Sequence, residues 1–226
     1  MTTEPVHVRR LGCVDYAATL ERMRTFTSAR TPDTPDEIWL LEHPPVYTLG
    51  VRARNRLSMG KTAGIPLVVT DRGGDITYHG PGQPVIYTLL DLARRRLDVQ
   101  TLVRTLEQAV IDTLAELGVA AERRAGAPGV YVAERKIASL GLRVRAGRSY
   151  HGLAFNARMD LAPFHAIEPC GYPGLSMTQL AEWRPDIDGA EAGERLLRQL
   201  LRLMGYTESS ATVGSPGSAR PFDARR

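Results

Sequence analysis

The sequence predicts an α+β domain in which helices cover a mixed, largely antiparallel β-sheet. Short segments rich in β-branched and aromatic residues, bounded by Gly and Pro, indicate strands between residues 37 and 158. Three longer segments, at residues 14–29, 98–117 and 189–204, carry the three- and four-residue apolar spacing of amphipathic helices. Many strands with only a few helices are typical of an α+β domain.

The helices are predicted from apolar stripes and end signals. In the first segment Tyr16 and Leu20 share a face, and Cys13 just before them is expected to begin the helix and pack on the core. The second segment gives the clearest helix, with Asp98 as its N-cap and Gly118 as its stop. Each helix is therefore expected to bury one face against the sheet.

Strand candidates fill the middle of the chain. They are "EIWLLEH" (37–43), "PVYTLG" (45–50), "PLVVT" (66–70), "DITYHG" (75–80), "PVIYTLL" (84–90), "GVYVAE" (129–134), "KIASLGLRVR" (136–145) and "SYHGLAFNAR" (149–158). The last two are separated by Ala146-Gly147, which predicts a tight hairpin turn at that point.

Length and composition indicate one domain. The chain of 226 residues is long enough to bury a substantial core, and it shows no internal repeat. We predict a single domain over residues 1–206. Residues 207–226 are rich in Ser, Gly, Ala and Pro without a hydrophobic pattern, which predicts a disordered tail.

Cysteine usage and hydropathy bear on the compartment. The chain has two cysteines and an N-terminus without the apolar run of a signal peptide, which favours a reducing compartment. No stretch approaches the roughly 18 apolar residues of a membrane span. We therefore expect a cytoplasmic protein with no membrane partner. We also predict that it is a monomer.

The formal net charge of +4 leaves three interpretations of the arginine clusters. These clusters are Arg94–Arg96, Arg123–Arg124 and Arg143-Arg145-Arg148. Solvated surface, a nucleic-acid partner and an acidic protein partner all fit such clusters. Aromatic residues make up only 6% of the chain, too few for a single-strand stacking surface. We therefore expect an acidic protein partner over a nucleic acid.

The stretch "AIEPCGYPG" places Cys170 between Pro169 and Gly171. A free cysteine is most often a small buried hydrophobe. This one lies in a segment whose Pro and Gly residues break regular structure, and reactive groups concentrate on such loops. A nucleophilic and a structural role both remain open on these grounds.

A glycine-rich stretch over residues 71–92 flanks the short strand "DITYH". Gly73-Gly74 before it and Gly80-Pro81-Gly82 after it allow the backbone to approach a ligand closely. Arg72 supplies a positive charge and His79 a hydrogen-bonding group. A tight hairpin with an incidental arginine is the alternative, and neither standard phosphate-binding glycine pattern is present.

Lys136 and His151 each permit two interpretations. Lys136 opens a largely apolar strand, where a lysine is usually a surface residue with a partly buried stem. The alternative is a buried amine, desolvated and able to exchange a proton near neutrality. His151 opens the returning strand of the hairpin and suits the core or a functional site equally well.

Taken together, these segments resemble a known family. "RGGDITYHGPGQ", "RKIASLGLRVR", "HGLAFN" and "IEPCGYPG", in this order and with "LEHPPVYTLG" and "SMTQLAEW", are similar to the octanoyltransferases of lipoate biosynthesis. The resemblance runs from about residue 10 to residue 205. It implies an α/β fold similar to the catalytic domains of biotin and lipoate protein ligases.

The resemblance also implies a reaction. The octanoyl group would pass from octanoyl-acyl carrier protein to Cys170 as a thioester, then to a lysine on lipoyl domains of 2-oxoacid dehydrogenase E2 subunits and glycine cleavage H protein. Lys136 matches the lysine that lowers the pKa of the cysteine and shuttles the proton. No metal, ATP or other cofactor is implied. The acyl-binding segments match Arg72, Gly73, Gly74, Asp75, Ile76, Thr77, Tyr78, His79, Ser139, Leu140, Gly141, Gly152, Leu153 and Ala154.

Three competing functions remain. A lipoate or biotin protein ligase would form an acyl adenylate, but this sequence offers no extra nucleotide loop and does offer Cys170. A cysteine hydrolase would pair Cys170 with His79, His151 or His165 and release a free fatty acid. A non-enzymatic binding module would give the thiol no role.

Overall fold

The computed structural model describes residues 4–53, 64–167 and 175–209. The strands are β1 (Glu4–Cys13), β2 (Glu37–Glu42), β3 (Val46–Leu49), β4 (Leu67–Val69), β5 (Ile76–His79), β6 (Val85–Leu89), β7 (Glu122–Arg124), β8 (Ala127–Val132), β9 (Arg135–Arg145), β10 (Arg148–Phe155) and β11 (Tyr206–Ser209). The helices are α1 (Tyr16–Ala29), α2 (Val99–Glu116) and α3 (Gly189–Met204), with short 3₁₀ helices at Ala162–Ala166 and Leu180–Glu182.

The strands form a large and a small sheet. The large sheet has eight strands in the order β11-β1-β2-β6-β10-β9-β8-β7, and the small sheet has three in the order β4-β3-β5. In the large sheet β1 pairs in parallel with β11 and β2, and each other neighbouring pair is antiparallel. The predicted mixed, largely antiparallel sheet covered by helices is confirmed.

All three predicted helices are present and begin at aspartate N-caps. The side chains of Asp15, Asp98 and Asp188 each accept a backbone N–H from the first turn at 2.8 Å, which satisfies a donor that has no partner within the helix. Gly118, at φ 75°, follows the end of α2 as predicted, and Gly205, at φ 64°, ends α3.

Side chains alternate along β6, and this alternation defines the two faces of the large sheet. Ile86 belongs to the hydrophobic cluster beneath α2 and α3, whereas Val85 and Tyr87 belong to the cluster beneath α1. We call these the aliphatic face and the pocket face. Val46 of the small sheet packs in the second cluster, so the small sheet helps α1 to cover the pocket face.

The hairpin of β9 and β10 turns where the sequence predicts. Arg145 pairs with Arg148, and the two residues between them, Ala146 and Gly147, have φ of 48° and 74°. Two successive positive φ values give the type I′ turn whose twist matches that of the flanking strands. This turn sets the register of both strands along the pocket face.

Two boundary predictions are wrong. Cys13 ends β1 and is exposed, so it does not begin α1 on the core. Residues 207–209 continue β11 and pair with β1, so they belong to the folded domain and not to the tail. Both strands were missed because Val6 is the only fully buried apolar side chain of β1 and β11 spans four residues. Residues 210–226 lie outside the described residues.

Hydropathy places no membrane span in the described chain. Among residues 4–53, 64–167 and 175–209, no helix combines the length and the apolar character needed to cross a bilayer.

Candidate functional site

A pocket opens on the pocket face, between β5 of the small sheet and β6, β9 and β10 of the large sheet, beneath the start of α1. All the residues predicted to contact an acyl chain line it, except Gly73 and Tyr78. Those lining residues are Arg72, Gly74, Asp75, Ile76, Thr77, His79, Ser139, Leu140, Gly141, Gly152, Leu153 and Ala154. Tyr16, Val85, Tyr87 and His151 complete the wall.

Gly73 and Tyr78, the two predicted residues that do not line the pocket, contact the residues around it. Gly73 donates its backbone N–H to the Leu142 carbonyl at 2.9 Å and so ties the glycine-rich stretch to β9. Tyr78 is buried with Tyr47 and Phe164, whose ring centroids lie 5.6 and 5.5 Å from its own. The Tyr78 ring therefore packs in the core of the small sheet.

The pocket glycines allow backbones to approach one another. Gly141 and Gly152 are paired across β9 and β10. A Cβ on Gly152 would overlap the Ile86 carbonyl oxygen, and one on Gly141 would lie 2.9 Å from the Gly73 carbonyl oxygen. A Cβ on Gly82 would overlap the Arg158 backbone, so the close approach expected there is to the protein's own chain and not to a ligand.

Arg72 places a guanidinium in the pocket wall. It is buried, and its side chain donates to the Thr48 hydroxyl and carbonyl oxygens at distances of 2.7–3.1 Å. It also donates to the Gly73 carbonyl oxygen at 3.0 Å. Arg72 thereby holds β3 and the glycine-rich stretch together at the edge of the pocket.

His79 contributes a neutral ring to the wall. Its Nδ1 lies 2.7 Å from Gln83 Oε1, which assigns the ring proton to that nitrogen. Tyr16 stacks on the ring at 5.7 Å between centroids. Burial, with nearby His43 and Arg72, lowers the pKa of His79 to about 3. The ring is uncharged near neutral pH.

His43 lies behind this wall and was not singled out from the sequence. Its Nδ1 is 2.7 Å from the Val14 carbonyl oxygen and its Nε2 is 2.7 Å from the Tyr87 hydroxyl. Because Nδ1 donates to the carbonyl, Nε2 accepts from Tyr87. Burial lowers the pKa of His43 to about 4 and raises that of Tyr87 well above its ordinary value.

His151 lines the pocket from a strained backbone position. Its φ of 63° is unusual for a residue other than glycine. Its Nε2 lies 3.0 Å from Asp71 Oδ1, and Tyr150 donates its hydroxyl to Asp71 Oδ2 at 2.7 Å. Burial lowers the pKa of His151 although Asp71 acts in the opposite direction. Partial burial alone would raise the pKa of Asp71, but the His151 and Tyr150 hydrogen bonds and Arg24 bring it below its ordinary value.

Lys136 is buried, so the surface interpretation of this residue is wrong. It is 2% exposed, its Nζ donates to the Pro128 carbonyl oxygen at 2.8 Å, and it lies 5.7 Å from the Tyr131 ring centroid. Gly129, at φ 138°, leaves space for the lysine stem, because a Cβ there would overlap Lys136 Cε. Ser139 of the pocket wall is three residues further along β9, about 10 Å away.

Cys170 lies outside the described residues. The chain that follows it runs beside Lys136, because the Ser176 carbonyl oxygen accepts the Lys136 backbone N–H at 2.9 Å and Thr178 donates its own N–H to the Lys136 carbonyl at 2.9 Å. His165, a candidate partner for Cys170 in a hydrolase, is exposed on the 3₁₀ helix at Ala162–Ala166 and does not line the pocket.

No three His, Cys, Asp or Glu side chains of the described residues converge as a set that could hold a metal ion.

Comparison with known proteins identifies the structural class of the chain. Residues 15–201 match the lipoyl protein ligase A/B catalytic domain. The fold superposes on the crystal structure of lipoate-protein ligase A bound with ATP with a TM-score of 0.75, covering 93% of this chain and 90% of that one at 16% identity. Against biotin protein ligase from Aquifex aeolicus in complex with biotin and ATP the TM-score is 0.57, over 88% and 70% of the two chains at 15% identity. The chain has the catalytic-domain fold that these ligases share.

Sequence similarity narrows the class to one family. The chain is 61% identical over 202 residues to the octanoyltransferase of Aromatoleum aromaticum, which covers 89% of this chain and 87% of that protein. It is 57% identical over 198 residues to the octanoyltransferase of Dechloromonas aromatica, covering 88% and 96%. The chain belongs to the octanoyltransferase family and is an acyltransferase, as its motifs predict.

Proposed function

We propose that this protein moves an octanoyl group from octanoyl-acyl carrier protein, through a thioester on Cys170, to a specific lysine of lipoyl domains. The acceptors would be the E2 subunits of 2-oxoacid dehydrogenases and the glycine cleavage H protein. One observation carries the proposal: β9 supplies both a wall of the pocket, at Ser139–Gly141, and the buried amine of Lys136. A chain-binding pocket and a buried amine on one strand suit acyl transfer.

In the first half-reaction the Cys170 thiolate attacks the thioester carbonyl of the carrier. The tetrahedral intermediate collapses, the carbon–sulfur bond to the carrier breaks, and the carrier leaves as a thiol after taking a proton from the Lys136 ammonium, which leaves that amine neutral. A free cysteine, with a pKa of about 8.5, is only a few per cent thiolate at pH 7. A positive amine at Lys136 would raise that fraction by favouring the anion.

In the second half-reaction the acceptor lysine attacks the Cys170 thioester with its neutral amine. That amine must lose a proton as the amide forms, and Lys136 would take the proton as general base. Cys170 then leaves as the thiolate. Exchange between two thioesters is nearly balanced and amide formation is downhill, so this scheme consumes no ATP.

The pocket wall suits a saturated chain. Ile76, Val85, Leu153 and Ala154 offer apolar surface, and each methylene buried there contributes about 0.8 kcal/mol. The depressed pKa of His79, about 3, keeps that side chain uncharged, so no imidazolium faces the hydrocarbon. Backbone N–H groups near Gly141, or near His79 and Gly80, are candidates to stabilise the oxyanion of each intermediate.

Mass spectrometry of the purified enzyme after incubation with octanoyl-acyl carrier protein tests the proposal. We expect an octanoyl adduct on Cys170 that hydroxylamine removes and that disappears when an apo lipoyl domain is added. The matched control is Cys13→Ser, which removes the other cysteine and should keep the adduct. Transfer to the acceptor without any adduct on Cys170 would overturn the covalent route. Release of free octanoate in place of acceptor octanoylation would indicate a hydrolase.

A further inference from the structure

The three arginine clusters of the sequence differ in how far acidic side chains neutralise them. In the first cluster Arg94 lies 2.7 Å from Asp36 Oδ1, and Arg95 lies 2.6 Å from Glu4 Oε2. Arg95 also lies 4.2 Å from the Tyr206 ring centroid. Acidic side chains of the same chain therefore neutralise most of the charge of this cluster.

The second cluster is likewise paired within the chain. Arg123 lies 3.1 Å from Glu107 Oε2, and Arg124 lies 3.9 Å from Glu122 and 3.7 Å from Glu134. Its charges therefore have acidic neighbours of their own.

The third cluster, on the β9–β10 hairpin, is different. Among the residues that the structure describes, no carboxylate lies within ion-pair distance of Arg143, Arg145 or Arg148. Arg145 and Arg148 are directly opposite each other across the strand pair. Like charges in that arrangement are destabilising. Arg148 donates to the Thr27 carbonyl oxygen of α1 at 3.4 Å, but no carboxylate of the described residues offsets the two charges.

The register of β9 places this cluster beside the pocket. Side chains two residues apart share a face of a strand, so Arg143 and Arg145 continue the row of Ser139 and Gly141, which line the pocket. Their Cα atoms lie about 7 and 13 Å beyond that of Gly141. Arg143 is also the cross-strand partner of Tyr150, which holds Asp71 on the pocket face.

A fourth arginine adjoins the glycine-rich wall of the pocket. Arg52 donates its backbone N–H to the carbonyl oxygen of Gly74, a lining residue, at 3.1 Å, and its side chain is exposed. Val51 beside it is 39% exposed. Of the acidic residues at the pocket, Asp75 lines it, and Asp71 is bound by His151, Tyr150 and Arg24.

We propose that Arg52, Arg143, Arg145 and Arg148 form a docking surface, the basic mouth, for the acidic face of the carrier protein that delivers the octanoyl thioester. The proposal rests on the proposed function, because that function requires a protein-borne chain to enter this pocket. An acidic protein fits better than a nucleic acid. Among the described residues the exposed large hydrophobic side chains are valines, and none is an aromatic ring on which bases would stack.

Charge complementarity at the mouth would change the association rate of the carrier protein more than the rate of the chemical step. A basic rim steers an acidic partner and raises the association rate, and salt screens the effect over a Debye length of about 10 Å at 0.1 M. A small uncharged thioester would gain nothing from this rim.

The test compares two octanoyl donors, octanoyl-acyl carrier protein and octanoyl N-acetylcysteamine, in the full-length enzyme. Arg143→Glu with Arg145→Glu, and separately Arg52→Glu, should lower kcat/KM for the carrier protein about tenfold or more. The same variants should change kcat/KM for the small thioester less than about twofold, because that donor bypasses the mouth. The salt dependence seen with the carrier protein, from about 20 to 300 mM, should become flatter in the variants.

Arg104→Glu on α2 is the matched control, since it makes the same charge change at an exposed residue of the helix that covers the aliphatic face. It should keep wild-type kinetics with both donors. An equal loss in Arg104→Glu, or an equal loss for both donors in the mouth variants, would overturn the docking surface. A wild-type enzyme that transfers from neither donor would instead overturn the proposed function. Thermal unfolding of each variant checks that the fold is kept.

Discussion

The two faces of the large sheet bury different kinds of side chain. Beneath α2 and α3 the core is aliphatic, with residues such as Leu102, Leu106 and Leu200 fully buried. The pocket face buries Arg72 and His79 among aromatic rings. Buried polar groups cost free energy unless they are hydrogen-bonded, and the partners of these two are Thr48, Gly73 and Gln83. α2 also buries Glu107, which accepts the Gly129 N–H at 2.9 Å, but Arg72 and His79 on the pocket face line the pocket itself. Burial on that face therefore positions polar groups at the site.

The largest expected effect concerns Cys170. Cys170→Ser and Cys170→Ala should lower octanoyl transfer by about three orders of magnitude or more, because the attacking thiolate is lost. Transfer to an apo lipoyl domain, followed by mass spectrometry of the acceptor, measures this loss. Cys13→Ser removes an exposed thiol at the far end of β1 and should behave like wild type. Substantial activity in Cys170→Ala would mean that the pocket works without a covalent intermediate.

Substitutions of Lys136 should affect the two half-reactions differently. Lys136→Met removes both the charge and the base and should lower overall transfer by about 10²-fold or more. Lys136→Arg keeps the charge but cannot give up its proton near neutral pH, so acyl-enzyme should form and then fail to pass the chain on. Rapid quenching and mass spectrometry follow each step.

Alkylation of Cys170 as a function of pH gives an independent readout of the same pair. In Lys136→Met the thiol should titrate closer to the ordinary value of about 8.5 than it does in wild type. Coincident titration curves for the two proteins would show that the lysine does not act on the cysteine.

On the aliphatic face, Leu106→Ala should affect stability and leave the chemistry alone. Leu106 is fully buried beneath α2, and removing its side chain should lower the free energy of unfolding by about 2–5 kcal/mol. Urea unfolding measures the loss, and kcat/KM per folded molecule should stay near wild type. A fall in kcat/KM that exceeds the unfolded fraction would indicate that the two faces are coupled through the sheet.

Acidic pH should lower the free energy of unfolding, because it protonates His79 and His43 at the pocket face. The pKa values of His79 and His43, about 3 and about 4, lie below the ordinary value of about 6.5, so the unfolded chain binds these protons more tightly than the folded chain does. Their full contribution to stability is present above pH 6.5 and is lost as the pH falls towards 4. Each neutral histidine contributes a slope of up to about 1.4 kcal/mol per pH unit in that window.

Unfolding by urea between pH 4 and pH 7 measures this slope. His43→Gln, which can still accept from the Tyr87 hydroxyl and donate to the Val14 carbonyl oxygen, should lose about one histidine's share of it. An unchanged slope in His43→Gln would show that this ring is protonated in the folded protein at mildly acidic pH.

The sequence predicts elements with strong local signals and misses those held by distant partners. α2 has a periodic stripe, an aspartate cap and a glycine stop, and it appears where expected. β1 and β11 carry little apolar signal, and the pairing between them joins residues about 200 positions apart, such as Glu4 and Tyr206. Local patterns contain no information about such a pairing.

The site shows the same limit. The motifs name most of the pocket lining, but Tyr16 of α1 and Tyr87 of β6 also line the pocket, and His43 lies behind them. In the sequence, Tyr16 and Tyr87 resemble core residues of a helix and a strand, and His43 lies just before two prolines. The sequence also cannot show that Lys136 is buried, because its burial depends on the backbone at Pro128 and Gly129, which folds around the lysine stem.

The pairing of Glu4 with Tyr206 has a consequence for folding during synthesis. β1 leaves the ribosome about 200 residues before β11, which covers its outer edge. Until then β1 presents a row of unpaired N–H and C=O groups, the kind of edge that recruits other chains. The nascent chain therefore carries an open sheet edge until β11 emerges, and a truncation before Tyr206 makes that edge permanent.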